Sequence, residues 1–270
     1  MAMRTIVLIA GATFKETVRD RVPYAMVVFA VVLMAASFLI GQMTAGQDMK
    51  IIKDLGLAAL SIFGLFIAVF IGIGLVSKEV EKKSVFGVLS KPMSRAQFIL
   101  GKYAGLVMSL AVNISVMTAA YYLVLFYMQS IATDAQRAGW PAAALDPRLL
   151  LAIGLIFAEL MLITALALFF STFSSPLLSA VLTLGLWVAG HFNADLRNFG
   201  TVVDSVAVAA IAKAAYYTLP NLAPFDVKAE AVYGMPISIG SAAYTLLYAA
   251  IYITILLTAA IAVFRRRDFK

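Results

Sequence analysis

The chain alternates between apolar runs of about 20 residues and short charged interruptions, the length a helix needs to cross the hydrocarbon core of a bilayer. Six such runs stand out: Val22 to Gln42, Leu55 to Ser77, Phe98 to Gln129, Leu149 to Thr172, Pro176 to His191 and Ile239 to Phe264. The fifth is the shortest, and the third is long enough to tilt or to extend out of the bilayer. No ten-residue alternating pattern of the outer-membrane barrel type is present, so the spans are helices. The longest gap, Phe192 to Ser238, is itself half apolar and leaves no room for a soluble domain. The pattern predicts an all-α polytopic membrane protein with six transmembrane helices and a single domain over residues 1–270.

Before the first run the period changes. Met3, Ile6, Val7, Ala10, Phe14 and Val18 fall on one face of a helix, and Arg4, Lys15, Glu16, Arg19 and Asp20 on the other. This predicts an amphipathic helix in the membrane interface, with Pro23 marking the turn into the first span. Thr5 to Ala12 is not expected to be a cleaved signal, because Phe14, Lys15 and Glu16 follow it rather than a cleavage region.

Composition agrees with the pattern and adds an orientation. Of the 270 residues 63% are hydrophobic and 13% charged, which excludes a soluble globular class. With the N-terminus inside, 14 of the 21 Lys and Arg fall in the N-terminal segment, the Lys78 to Lys102 region and the C-terminal tail. That bias predicts both termini in the cytoplasm. Anionic lipid accounts for the net charge of +7 without a nucleic-acid partner. There is no cysteine, so the sequence says nothing about redox compartment.

The stretch between the second and third runs becomes the largest cytoplasmic loop. Glu79 to Ser90 has a short helical pattern with Val85, Phe86 and Leu89 on one face, and Glu79 can meet Lys82 or Lys83 one turn on. Pro92 ends it and forces Lys91 extended. Ser94 and Gln97 have the spacing of a capping box that starts the third span. Taken singly, each Lys here reads as a snorkelling anchor.

The order of residues is more specific. Glu79, Leu89, Lys91, Pro92, Ser94, Arg95, Gly101 and Lys102 resemble the pattern of permease subunits of the type-2 ABC exporter family. Leu219-Pro220-Asn221-Leu222 before the last span and the basic tail Arg265-Arg266-Arg267-Asp268 are similar too, so the resemblance covers nearly the whole chain. It implies a coupling helix in the loop 78–97 that docks on a separate ATPase subunit, which binds ATP and Mg. The interface residues it points to are Glu79, Lys82, Lys83, Val85, Phe86, Leu89 and Arg95. Apolar anchors in a charged rim suit such an interface, and Phe86 and Leu89 dipping into lipid is the plainer reading. The resemblance further implies two permease subunits, identical or homologous, in a bacterial or archaeal inner membrane, with room for further periplasmic or membrane subunits.

No catalytic or metal site is expected. The nearest approach to a phosphate-cradling loop ends in Gly101-Lys102, with Ala96 in place of the first Gly and Tyr103 in place of the hydroxyl. A single His191 without Cys supplies neither a metal set nor a Ser-His-Asp arrangement. The chain is expected to hold no cofactor and to be no enzyme.

Polar residues within the runs are the remaining candidates. Glu159 lies mid-span, where an ionised carboxylate costs about 2.5 to 3.5 kcal/mol, so it faces protein or water. It is either a substrate or proton site or a protonated side chain bonded to a neighbouring helix, with Asn113 and Thr164 as candidate partners. Asn113, Ser109 and Ser115 suit interhelical hydrogen bonds. Gly64, Ala68 and Gly72 form one small-residue ridge and Gly101 and Gly105 another, each able to pack within the subunit or across a dimer. A proton-coupled transporter using Glu159 and a non-transporting scaffold are the rival functions. The substrate is not legible, since an apolar wall suits lipids, glycolipids, peptides or hydrophobic drugs.

Overall fold

The computed structural model describes residues 2–42, 48–81, 94–192 and 219–266, with Val208, Ala210, Lys213 and Tyr216 between the last two segments. Its helices are α1 (Ala2–Val18), α2 (Arg21–Gln42), α3 (Asp48–Glu81), α4 (Arg95–Ile131), α5 (Asp134–Ala138), α6 (Pro147–Ser171), α7 (Pro176–His191), α8 (Lys228–Tyr233) and α9 (Ile239–Arg266). A single 3-10 turn, Ala223–Phe225, precedes α8. Among the described residues there is no strand.

Local chemistry places the helix starts. Ser94 accepts from Gln97 N at 3.2 Å while the Gln97 side chain accepts from Ser94 N at 3.1 Å, the capping box that the spacing predicts. Asp146 and Ser175 cap α6 and α7, each followed by a Pro whose missing N–H costs nothing in the first turn. Asp48 opens α3 well before Leu55, so the second span starts earlier than the apolar run suggests.

Five of the described helices are long and apolar enough to cross a membrane, namely α2, α3, α4, α6 and α9. The sixth expected span, α7, has 16 residues and so a length of about 24 Å. At about 55 Å, the 37 residues of α4 exceed the hydrocarbon thickness.

The bundle is built around α3 and α6, each 72% buried along its span, against 22% for α2, 33% for α4 and 22% for α9. The ridge Gly64, Ala68, Gly72 is what lets these two meet. A Cβ on Gly72 would stand 2.6 Å from Cβ of Ala167, so only hydrogen fits there. Two hydroxyls of α6 bond within their own helix: Thr164 Oγ1 donates to Leu160 O at 2.8 Å and Ser171 Oγ to Leu168 O at 2.7 Å. Neither needs a partner on another helix.

The second ridge serves a different contact. A Cβ on Gly105 would meet Ala10 O and Thr13 Cβ, both at 2.6 Å, because α1 lies in the groove that Gly101 and Gly105 leave on α4. The helix forms, but little of the expected apolar face is buried: Ala10 is, together with Thr13 and Thr17 beside it, while Met3, Val7 and Val18 of that face stay exposed. The exposed set is the one available to lipid.

Candidate functional site

Three places carry the chemistry that the sequence singles out. The first is the base of the bundle on the α1 side, where the loop between α3 and α4 is mounted. Lys82, Lys83, Val85, Phe86 and Leu89, and the side chain of Glu79, lie outside the described residues, while the helix of α3 runs unbroken through Glu79 to Glu81. Arg95 is described. Its guanidinium donates to Phe264 O at 2.7 Å and Arg265 O at 2.9 Å in the last turn of α9, where a cation is favoured by the helix dipole. Phe98 stacks on Phe264 with 5.7 Å between centroids. Buried Lys102 pairs with Glu16 of α1 at 3.8 Å. The far end of the loop therefore enters a helix that is gripped at its base by both α1 and α9.

The second place is the middle of the bundle. Glu159 is 2% exposed. Its Oε1 accepts from Trp187 Nε1 at 2.7 Å and lies 3.5 Å from His191 Nε2, both on α7. Neither expected partner reaches it: Asn113 Nδ2 donates to Ser109 O at 2.7 Å, and Thr164 also bonds within its own helix. His191 Nδ1 stands 3.0 Å from the carbonyl oxygen of Trp187, which can only accept, so a hydrogen on Nδ1 suits this contact. With it there, one further proton on either His191 or Glu159 would make the Nε2–carboxyl approach attractive and leave the pair neutral overall, which suits its depth. Asp226 and Lys228 lie within electrostatic range of Glu159 and pair with each other at 3.3 Å.

The third place is a cap over the bundle on the side away from α1. Leu222 N donates to Gly190 O at 3.0 Å, one residue before His191. Leu222 and Phe225 are fully buried, as are Ala231 and Val232 of α8. Residues 219–233 thus pack into the bundle. Tyr248 Oη of α9 accepts from Asn221 N at 2.9 Å. Gly234, at φ 69°, ends α8 in the left-handed conformation that a glycine adopts without strain. Beside the cap, Lys53 is completely buried inside α3 and donates to Ala143 O at 2.7 Å. It belongs to a helix and not to an external loop, and it ties α3 to the connection before α6.

Trp187 and Lys53 are the residues that sequence reasoning passes over, and His191 is weighed there only as a metal or triad residue. The signal for Trp187 and His191 is their spacing of four on α7, which puts them on one face. Nothing in the spacing says that Glu159 is opposite.

A family model described as ABC-2 family transporter protein matches residues 7–269. No curated protein matches the chain. The match takes in α4 with its capping box, the buried carboxylate of α6, the Leu219 to Leu222 cap and nearly all of the helical bundle, and by it the chain belongs to the ABC-2 transporter family as a multi-pass membrane subunit.

Proposed function

We propose that this chain is the permease subunit of an ATP-driven exporter, with ATP and Mg bound by a separate ATPase subunit. The observation that supports it most is the family match over residues 7–269, which brings an ABC transporter's division of labour to a chain made of membrane helices. In this reading the loop 78–97 is the coupling element. Val85, Phe86 and Leu89 are its apolar anchors, and Glu79, Lys82, Lys83 and Arg95 its charged rim. The mounting of the loop favours the role: a force applied there acts on α3, which packs on α6, and on α4, which carries α1 and α9. A second copy or a homologue completes the pathway, and the termini lie in the cytoplasm with the cap outside.

The test is a gentle-detergent pull-down of the tagged chain from its native cells, with mass spectrometry, an ATPase assay and Phe86→Glu alongside. An ATP-hydrolysing subunit is expected to copurify and to be lost with the variant. A folded chain that comes out alone, without hydrolysis, would overturn the reading and turn attention to the Glu159 cluster as a proton site.

A further inference from the structure

A pocket of about 530 Å³ opens between the cap and the first three turns of α9, lined by Asn221, Pro224, Ser241, Tyr244, Thr245 and Tyr248. The four α9 residues are spaced i, i+3, i+4 and i+7, so they make one stripe, and that stripe is Ser, Tyr, Thr, Tyr on a helix that is otherwise strongly apolar. From Ser241 to Tyr248 it climbs about 10 Å, which keeps it within the leaflet on the cap side. The opening is lateral. Tyr244 is 76% exposed, and Leu247, Ile251 and Ile255, which continue along α9, are exposed to the hydrocarbon. Hydroxyls facing pure hydrocarbon are unfavourable, so this stripe calls for a polar cover that still lives in a bilayer.

The bonding capacity of the pocket says what the cover is. Thr245 Oγ1 donates to Ser241 O, and Asn221 Oδ1 accepts from Ala223 N at 3.2 Å. Tyr248 Oη accepts from Asn221 N, which leaves its own proton to give. The Asn221 amide hydrogens and the Ser241 hydroxyl add to that supply. Among the described residues no Asp, Glu, Lys or Arg lines the space, so none of them compensates a charge there. The volume suits a small ligand and not a folded segment.

We propose that this pocket is a binding site for an uncharged amphiphile: one hydrocarbon chain against Pro224, Tyr244 and the neighbouring lipid, and hydroxyl or ester oxygens at Ser241, Asn221 and Tyr248. The site does not depend on the exporter reading, because a chain that never meets an ATPase would still hold the ligand.

The experiment puts the full chain into phosphatidylcholine nanodiscs with a monoacylglycerol that carries a photoreactive diazirine in its acyl chain. After illumination, labelling is mapped by peptide. Labels are expected to concentrate on 220–248, to saturate, and to be displaced by unlabelled 1-monooleoylglycerol with about tenfold greater potency than by oleate. Ser241→Leu, at an exposed position that tolerates an apolar residue, and Tyr248→Phe are each expected to weaken displacement several-fold while the chain stays monodisperse. Labelling spread evenly over lipid-facing helices, or equal displacement by oleate, would overturn the proposal. With an assembled ATP-driven complex, loss of label on ATP addition marks a transported molecule and retention marks a resident lipid. Both are occupancies of the proposed kind.

Discussion

The contacts of α6 with α3 and with α7 are built on opposite principles. Against α3, small residues bring two backbones together and the Thr164 and Ser171 hydroxyls are satisfied within α6, so the attraction is close packing. Against α7, the fully buried residues on the partner are only Ser179, Thr183 and Gly190, while Ala180, Leu184 and Leu186 are half-buried against the core, and the polar link is a carboxyl group facing Trp187 and His191. Packing of the first kind has one solution and resists displacement. A hydrogen-bonded joint can be broken at one point and remade. The bundle therefore has a fixed centre in α3 and α6 and a separable part in α7, with the cap attached through Gly190 and Leu222.

The sharpest way to break this contrast is Gly72→Leu. Its side chain has to displace Ala167, an overpacking of about 3 kcal/mol at the most buried contact. Fluorescence-detected size exclusion is expected to show loss of the monodisperse species. Survival at the parental level would mean that α3 and α6 are as separable as α7.

Next in size is Glu159→Ala, which strands the Trp187 indole N–H and costs about 1 to 3 kcal/mol. Because the chain has no cysteine, Leu222→Cys reports on the cap alone, and its thiol labelling is expected to accelerate about tenfold or more in the Glu159→Ala background. Glu159→Gln keeps an oxygen for Trp187 and is expected to retain most of the protection. If Gln behaves like Ala, the shared proton and not the indole bond holds the joint.

Arg95→Ala removes charge-assisted bonds to the end of α9 at a partly solvated site, for about 1 kcal/mol. The thermal midpoint of the isolated chain is expected to fall by a few degrees before any partner is added. An unchanged midpoint with loss of the ATPase would assign Arg95 to the coupling interface alone. Lys102→Met is the smallest change, within about 0.5 kcal/mol, because Glu16 is half exposed and the Lys102 stem is already packed on α4.

Much of this architecture could be read from the residues themselves. Apolar runs mark the spans because lipid demands them, and the Ser94 and Gln97 box marks the start of α4 because its chemistry is local. The Gly64 and Gly101 ridges are visible as ridges, yet their partners are not, since a small residue advertises closeness without naming a neighbour. Lys53 shows how charge misleads at a helix start: the run of Asp48, Lys50 and Lys53 has loop composition, and the carbonyls of Ala142 and Ala143 with the nearby Asp146 make a buried ammonium tolerable. Glu159 was conspicuous by its depth. Its partners were not, because pairing across 28 or more positions leaves no periodic trace.

The seat of α1 on Gly101 and Gly105 bears on the order in which the protein is made. Synthesis at about 5 to 20 residues per second leaves an interval of roughly 5 to 20 seconds between the emergence of α1 and of its groove on α4. During that time the first helix has no protein partner. Met3, Val7 and Val18, still turned outward in the finished fold, give it a berth on the lipid surface until α4 is threaded. The face that looks surplus in the completed bundle is the one that the nascent chain uses first.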